Sequence, residues 1–188
     1  MSLFENSIND AIDALELLRC CEPDYNNAVT ALASAVESEN KILACGNGGS
    51  AADASHFMTE LLCRFRDDRR PLPGVALAAD GSFLTAAGND YGFESVFARQ
   101  VEGLGREGDV LVAISTSGNS ANIRLAIETA KARGLTTIAL LGRDGGDCRG
   151  LADIEIIISH QHTARIQEAQ KVLIHALCEG MERRLNLI

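Results

Sequence analysis

From about Leu3 to Arg19 the apolar residues Leu3, Ile8, Ile12, Leu15 and Leu18 recur at helical spacing. Glu22-Pro23 interrupts that pattern. A second helix is expected from about Asp24 to Glu39, with Ala28, Leu32, Ala35 and Val36 on one face. The pattern then changes. Lys41 to Cys45 is a short apolar run ending at Gly46, which predicts a buried strand, and Ser50 to Phe65 returns to helical character. Short apolar runs recur at Val75–Ala78, Asp109–Ile114, Thr136–Leu141 and Ile154–Ile158. Helical segments separate most of them, notably Phe93–Leu104 and Asn119–Arg133, and a terminal helix is predicted from about Thr163 to Arg184. Near-continuously apolar strands alternating with helices predict a parallel sheet covered on both faces. The expected fold is therefore α/β, a doubly wound, Rossmann-like five-stranded parallel sheet with helical extensions at both ends. One domain is expected over 1–188: a helical extension over about 1–39, an α/β core over about 40–160 and a C-terminal helix over about 163–185. No linker, repeat or low-complexity segment is visible.

Composition narrows the function classes. The chain has 188 residues, 46% hydrophobic and 23% charged, which suits one globular domain. No apolar stretch approaches the ~18 residues of a membrane helix, so no membrane partner is expected. The acids in MSLFENSINDAIDALELL, without a basic opening, do not read as a signal peptide. A net charge of −9 makes nucleic acid a poor partner. It does not exclude a small phosphate, which backbone N–H groups can hold. The six cysteines, at 20, 21, 45, 63, 148 and 178, form no CxxC pair or regular framework, and suit reduced thiols in a cytoplasmic protein.

Two loops have the character of a phosphate site. Gly46-Asn47-Gly48-Gly49-Ser50 follows a strand and opens a helix, so glycine lets the backbone approach a ligand and the helix N-terminus offers unpaired N–H groups. Gly46, Gly48 and Ala51 also satisfy a dinucleotide fingerprint, which keeps a cofactor site and a plain turn open as alternatives. Ser115-Thr116-Ser117-Gly118-Asn119-Ser120 places four hydroxyls within six residues after another strand. In open α/β sheets that edge binds ligands; a Ser-rich helix cap is the plainer reading.

Candidate chemistry lies on two helices. His56 and Glu60 are four apart and share a face, where they can hold a metal, hold a substrate or simply be solvated. Gln167 and His175 lie eight apart, about 12 Å along the last helix. His175 sits in the apolar run Val172 to Leu177, so a core histidine is the alternative. His160 and His162 read as solvated loop residues.

Taken together, CGNGGSAADASHFMTELLCRF (45–65), LTAAGNDYGFE (84–94), GDVLVAISTSGNSANI (108–123), LLGRDGG (140–146), TARIQE (163–168) and IHALCE (174–179) resemble the sugar isomerase (SIS) domain family, over nearly the whole chain. The resemblance is to its isomerases of seven-carbon sugar phosphates. It implies conversion of sedoheptulose 7-phosphate to D-glycero-D-manno-heptose 7-phosphate, the first step of ADP- or GDP-heptose and lipopolysaccharide biosynthesis. By the same resemblance Ser50, Ser115, Ser117 and Ser120 hold the phosphate. Asn47, Gly48, Gly49, Arg64, Asn89, Asp90, Thr116 and Gln167, with Glu60, contact substrate. Glu60 and His175 resemble the catalytic base and acid, and His56, Glu60, Gln167 and His175 resemble the ligands of one Zn²⁺ per subunit. It also implies a homotetramer with sites shared between subunits, for which the apolar faces of the first and last helices offer a surface. One departure is Gln170, where family members usually carry His. A non-catalytic SIS-domain regulator that senses a phosphosugar or binds a protein such as a replication initiator is the alternative; retention of Glu60 and His175 argues for the enzyme.

Overall fold

The computed structural model describes residues 1–188. Helix α1 (Leu3–Glu16) starts with a capping box, in which Ser2 Oγ accepts from Glu5 N at 3.1 Å and Glu5 accepts from Ser2 N at 2.7 Å. It ends three residues before the sequence pattern suggested, in a 3-10 turn over Leu17–Cys21. Helix α2 (Glu22–Glu37) starts earlier than expected, because Pro23 sits in its first turn, where the missing N–H costs nothing. Proline here begins a helix rather than separating two.

The core alternates as the pattern requires: β1 (Ile42–Gly46), α3 (Gly49–Leu62), β2 (Gly74–Ala76), α4 (Gly81–Tyr91), α5 (Val96–Leu104), β3 (Val110–Ser115), α6 (Ala121–Ala132), β4 (Thr136–Gly142), β5 (Ile154–Ile158) and α7 (Thr163–Arg184). Strand β2 is shorter than the expected Val75–Ala78, and the expected helix over 93–104 opens with a 3-10 turn at Phe93–Ser95. Helix α4 lies in a stretch the hydrophobic pattern left unassigned. Its cap is Asp80, whose side chain accepts from Phe83 N at 3.0 Å, and only Ala87 within it is buried.

The sheet is wholly parallel with strand order β2-β1-β3-β4-β5. Its residues alternate between two cores. Ile42, Ala44, Val110, Val112, Ile138 and Leu140 face α2, α3 and α7. Leu43, Cys45, Leu111, Ala113, Ala139 and Leu141 face α4, α5 and α6. This doubly wound arrangement has one switch point, between β1 and β3, where the chain leaves in opposite directions. Ligands bind at the carboxyl edge of such a crevice. No helix is long and apolar enough to cross a membrane.

Candidate active site

Both phosphate-type loops open at that edge, because β1 and β3 are neighbours with Gly46 opposite Ile114. Gly48 caps α3 with φ +55° and ψ −119°, a conformation a side chain would strain. In the second loop Gly118 has φ +67°, and an added methyl group would run into the backbone carbonyl of Gly145. Ser115 Oγ accepts from Gly118 N at 3.0 Å and Ser117 Oγ from Asn119 N at 3.2 Å, so these hydroxyls also shape the turn. Ser50 and Ser115 are nearly buried, while Thr116, Ser117 and Ser120 are partly open. The loops are tied by a reciprocal amide pair: Asn47 Nδ2 donates to Asn122 Oδ1 at 2.9 Å, and Asn122 Nδ2 to Asn47 Oδ1 at 2.8 Å. A pocket of about 300 Å³ beside this pair is lined by Asn47, Phe93, Glu94, Ser120 and Asn122.

The second part of the site is the seam between α3 and α7. The two helices run in the same direction, and their facing residues match turn for turn. Gly49 lies against the Gln167 amide; a Cβ there would sit 2.9 Å from Gln167 Cδ. Next, buried Asp53 meets Lys171, Oδ1 to Nζ 2.6 Å. Further on, His56 Nε2 lies 2.8 Å from His175 Nε2 and 3.4 Å from Glu60 Oε1. The Phe65 ring closes the end, with its centroid 5.5 Å from that of His175. A cleft of about 540 Å³ follows the seam, lined by Gly49, Asp53, Gln167, Lys171 and His175 among others.

His175 is thus no core histidine: it is partly open and belongs to the cleft. Burial, reinforced by the neighbouring His56 and by Lys171, holds its imidazole below the ordinary value, against the pull of Glu60. A neutral ring has a free nitrogen lone pair, which proton transfer and metal binding both require.

Two imidazoles and a carboxylate converging from one seam are zinc-type donors, and Gln167 lies farther up the same cleft. The donor set fits the ion in kind. As placed, the two Nε2 atoms are within hydrogen-bonding distance of each other, and no three His, Cys, Asp or Glu side chains form a ready cage.

Three other expected residues are exposed and do not line the α3–α7 cleft. Asn89 and Asp90 end α4, exposed, with Asn89 Nδ2 donating to Asp90 Oδ1 at 2.8 Å. Arg64 is exposed in the bend after α3. His160 and His162 sit near each other ahead of α7, away from the cleft lining. Sequence reasoning missed Asp53, Lys171 and Asn122. Asp53 and Lys171 each lie four residues after a seam contact, Gly49 or Gln167, and so repeat on the same helix face, but that spacing does not show that the two faces meet.

The model of the SIS domain family matches residues 7–142. The chain is 50% identical over 186 residues to the phosphoheptose isomerase of Halorhodospira halophila, covering 97% of this chain and 92% of that one. It belongs to the phosphoheptose isomerases of the SIS domain family. Solved structures agree with the fold described above. Phosphoheptose isomerase GmhA from Neisseria gonorrhoeae superposes with a TM-score of 0.85 at 46% identity, over 96% of this chain and 95% of that one. The phosphoheptose isomerase from Francisella tularensis gives 0.89 at 40% identity, over 96% and 94%.

Proposed function

We propose that this chain isomerises sedoheptulose 7-phosphate to D-glycero-D-manno-heptose 7-phosphate, the entry step to nucleotide-activated heptose. The observation that carries this reading is the meeting of His56 with both Glu60 and His175 on the α3–α7 seam, whose cleft is lined by His175 and, farther up, by Gln167 and Gly49. Family membership supplies the substrate class; the seam supplies the chemistry.

Ketose–aldose isomerisation moves a proton between neighbouring carbons through an ene-diol. Glu60 takes the proton from C1 as the carbonyl oxygen on C2 gains one. It then returns a proton to C2, while the hydroxyl on C1 gives up its own and becomes the aldehyde oxygen. His175, held toward its neutral form, carries the proton between the two oxygens. Ser50, Ser115, Ser117 and Ser120, with the N–H groups opening α3 and α6, hold the phosphate. Asn47, Gly48, Gly49, Thr116, Asn89, Asp90, Arg64 and Gln167 are assigned to the sugar. When bound, Zn²⁺ would be held by His56, Glu60, Gln167 and His175 and would polarise the substrate carbonyl.

The site is completed in an oligomer, in this reading a homotetramer. Ser50 and Glu60 stand ten residues apart on α3, about 15 Å along its axis. That is long for one sugar phosphate to bridge within a chain. A neighbouring subunit that brought its seam to this phosphate loop would shorten the gap. Helix α1 offers a surface for association: Leu3 and Phe4 are 85% and 74% exposed, and Ile8 and Ile12 nearly half. Light scattering near four times 20.0 kDa supports the tetramer, and a mass of one chain overturns it. Six free thiols suit the reducing cytoplasm.

The test of function is direct. Purified protein with sedoheptulose 7-phosphate should yield an aldoheptose 7-phosphate by NMR; no conversion with or without added zinc refutes the assignment.

A further inference from the structure

The last turn of α3 carries Glu60, and something must fix it relative to α7, which carries His175. A helix end leaves its final carbonyls without intrahelical partners. Here the guanidinium of Arg69, from the segment between α3 and β2, fills that role. Arg69 Nη2 donates to the carbonyl of Glu60 itself at 2.7 Å, and Nη1 donates to Leu61 O at 2.7 Å and Arg70 O at 3.1 Å. The same group reaches α7, where Nε donates to Glu182 Oε1 at 2.7 Å. Both side chains are closed to solvent, at 2% and 1% exposure. Glu182 lies seven residues, two turns, beyond His175.

We propose that Arg69 is a positioning residue for the isomerisation, setting the distance between Glu60 on α3 and His175 on α7. The inference rests on the proposed function, since it concerns how that acid–base pair is held.

The pair is not arranged for stability alone. Withdrawing two charges from water is costly, and an apolar replacement of similar volume is often no less stable. Moreover, Glu182 Oε2 is buried with no hydrogen-bond partner. A pair selected for stability would engage both carboxylate oxygens, as a guanidinium fork allows. Instead the fork is turned so that two of its nitrogens serve the α3 terminus and only one serves Glu182. This sacrifices part of the ion pair to grip the peptide carbonyls of Glu60 and Leu61. The outer pair between the same regions, Arg66 to Glu179 at 3.7 Å with its Arg side chain largely exposed, is too long to fix that geometry.

The test uses the full-length enzyme and two variants. Arg69→Lys keeps a positive charge beside Glu182 but cannot grip both carbonyls and the carboxylate together. The double variant R69M/E182M removes the pair and fills its volume, so it folds without a buried unpaired charge. Wild type must first convert sedoheptulose 7-phosphate; if it does not, the proposed function fails rather than this inference. Given an active wild type, both variants should lose about 10–100-fold in kcat, the scale of a sub-ångström to 1 Å misplacement. KM should stay within about twofold, since the phosphate loops are untouched. The double variant leaves the carbonyl of Glu60 without its donor, so its Tm should fall by a few degrees; kcat is therefore compared at a temperature where every variant is fully folded by circular dichroism, so that its loss reports positioning rather than unfolding. Either folded variant turning over at the wild-type kcat overturns the proposal, as does a loss confined to KM. If Arg69→Lys does not fold, the double variant alone decides.

Discussion

Replacing Gly49 with alanine sets local helix energetics against the geometry of the seam. Gly49 is the first residue of α3, and its backbone is compatible with a side chain there. Alanine in a helix is favoured over glycine by about 0.5–1 kcal/mol. The new methyl carbon, however, would lie 2.9 Å from Gln167 Cδ and 3.0 Å from Oε1, and closer still to Nε2. Carbon contacts are comfortable at about 3.5–4.0 Å, so the amide must move by about 0.5–1 Å. Gln167 is the flexible end of a partly open side chain, and an off-rotamer swing costs about 0.5–1.5 kcal/mol. The two effects nearly cancel. Tm should therefore move by no more than about 2–4 °C. With Gln167 orienting substrate as proposed, activity should not be spared, because displacing such a group by about 1 Å costs up to about 100-fold. Differential scanning fluorimetry and kcat/KM on sedoheptulose 7-phosphate test both halves. Unchanged kcat/KM in a stable variant would show that Gln167 does not serve the site. A fall in Tm beyond about 10 °C would show that the seam cannot yield as reasoned.

Gly118→Ala differs, because φ is +67° and the clash is with backbone at Gly145 and Gly146, which cannot swing aside. A loss of at least ~2 kcal/mol is expected in denaturant unfolding, and a native-like midpoint would contradict the loop geometry. Iodoacetamide at pH 8 should modify no more than two thiols per native chain, Cys20 and Cys63, as read by intact mass. Burial pushes the Cys45 and Cys178 thiols far up and that of Cys148 up to about 11, so labelling of any of these before unfolding would refute their placement. Treatment with a chelator should lower turnover and added Zn²⁺ should restore it while the far-UV circular dichroism stays unchanged; full activity of metal-stripped protein would remove zinc from the mechanism.

Strands β1, β3 and β4 were legible because each is short, apolar and buried, and the loops after β1 and β3 because their glycines and hydroxyls concentrate at strand ends. Helix α4 was not, since only Ala87 within it is buried and Gly81 and Gly88 weaken its helical signal. Pro23 misled because it both breaks helices and starts them. The pairing of His56 with Glu60 follows from i, i+4 spacing, whereas their meeting with His175 depends on how α3 and α7 pack, which spacing within either helix does not encode. Asp53, Lys171 and Arg69 escaped for the same reason. Each is an ordinary charged residue in sequence, and only its partner across the seam or in the buried pair gives it a place.

Glu60, in the last turn of α3 and joined to His175 through His56, is the residue proposed to perform the proton transfer. Glu60→Gln keeps the shape and a hydrogen-bonding oxygen but removes the proton acceptor. General-base catalysis contributes about 10²–10⁴-fold, so kcat on sedoheptulose 7-phosphate at saturating zinc should fall by that factor. Binding of the sugar phosphate, measured by calorimetry, should persist because the Ser50 and Ser115–Ser120 loops are intact. His56→Ala, which removes no proposed acid or base, is the companion measurement. A Glu60→Gln enzyme that retains most of its turnover while His56→Ala is inactive would contradict the account and place the chemistry elsewhere.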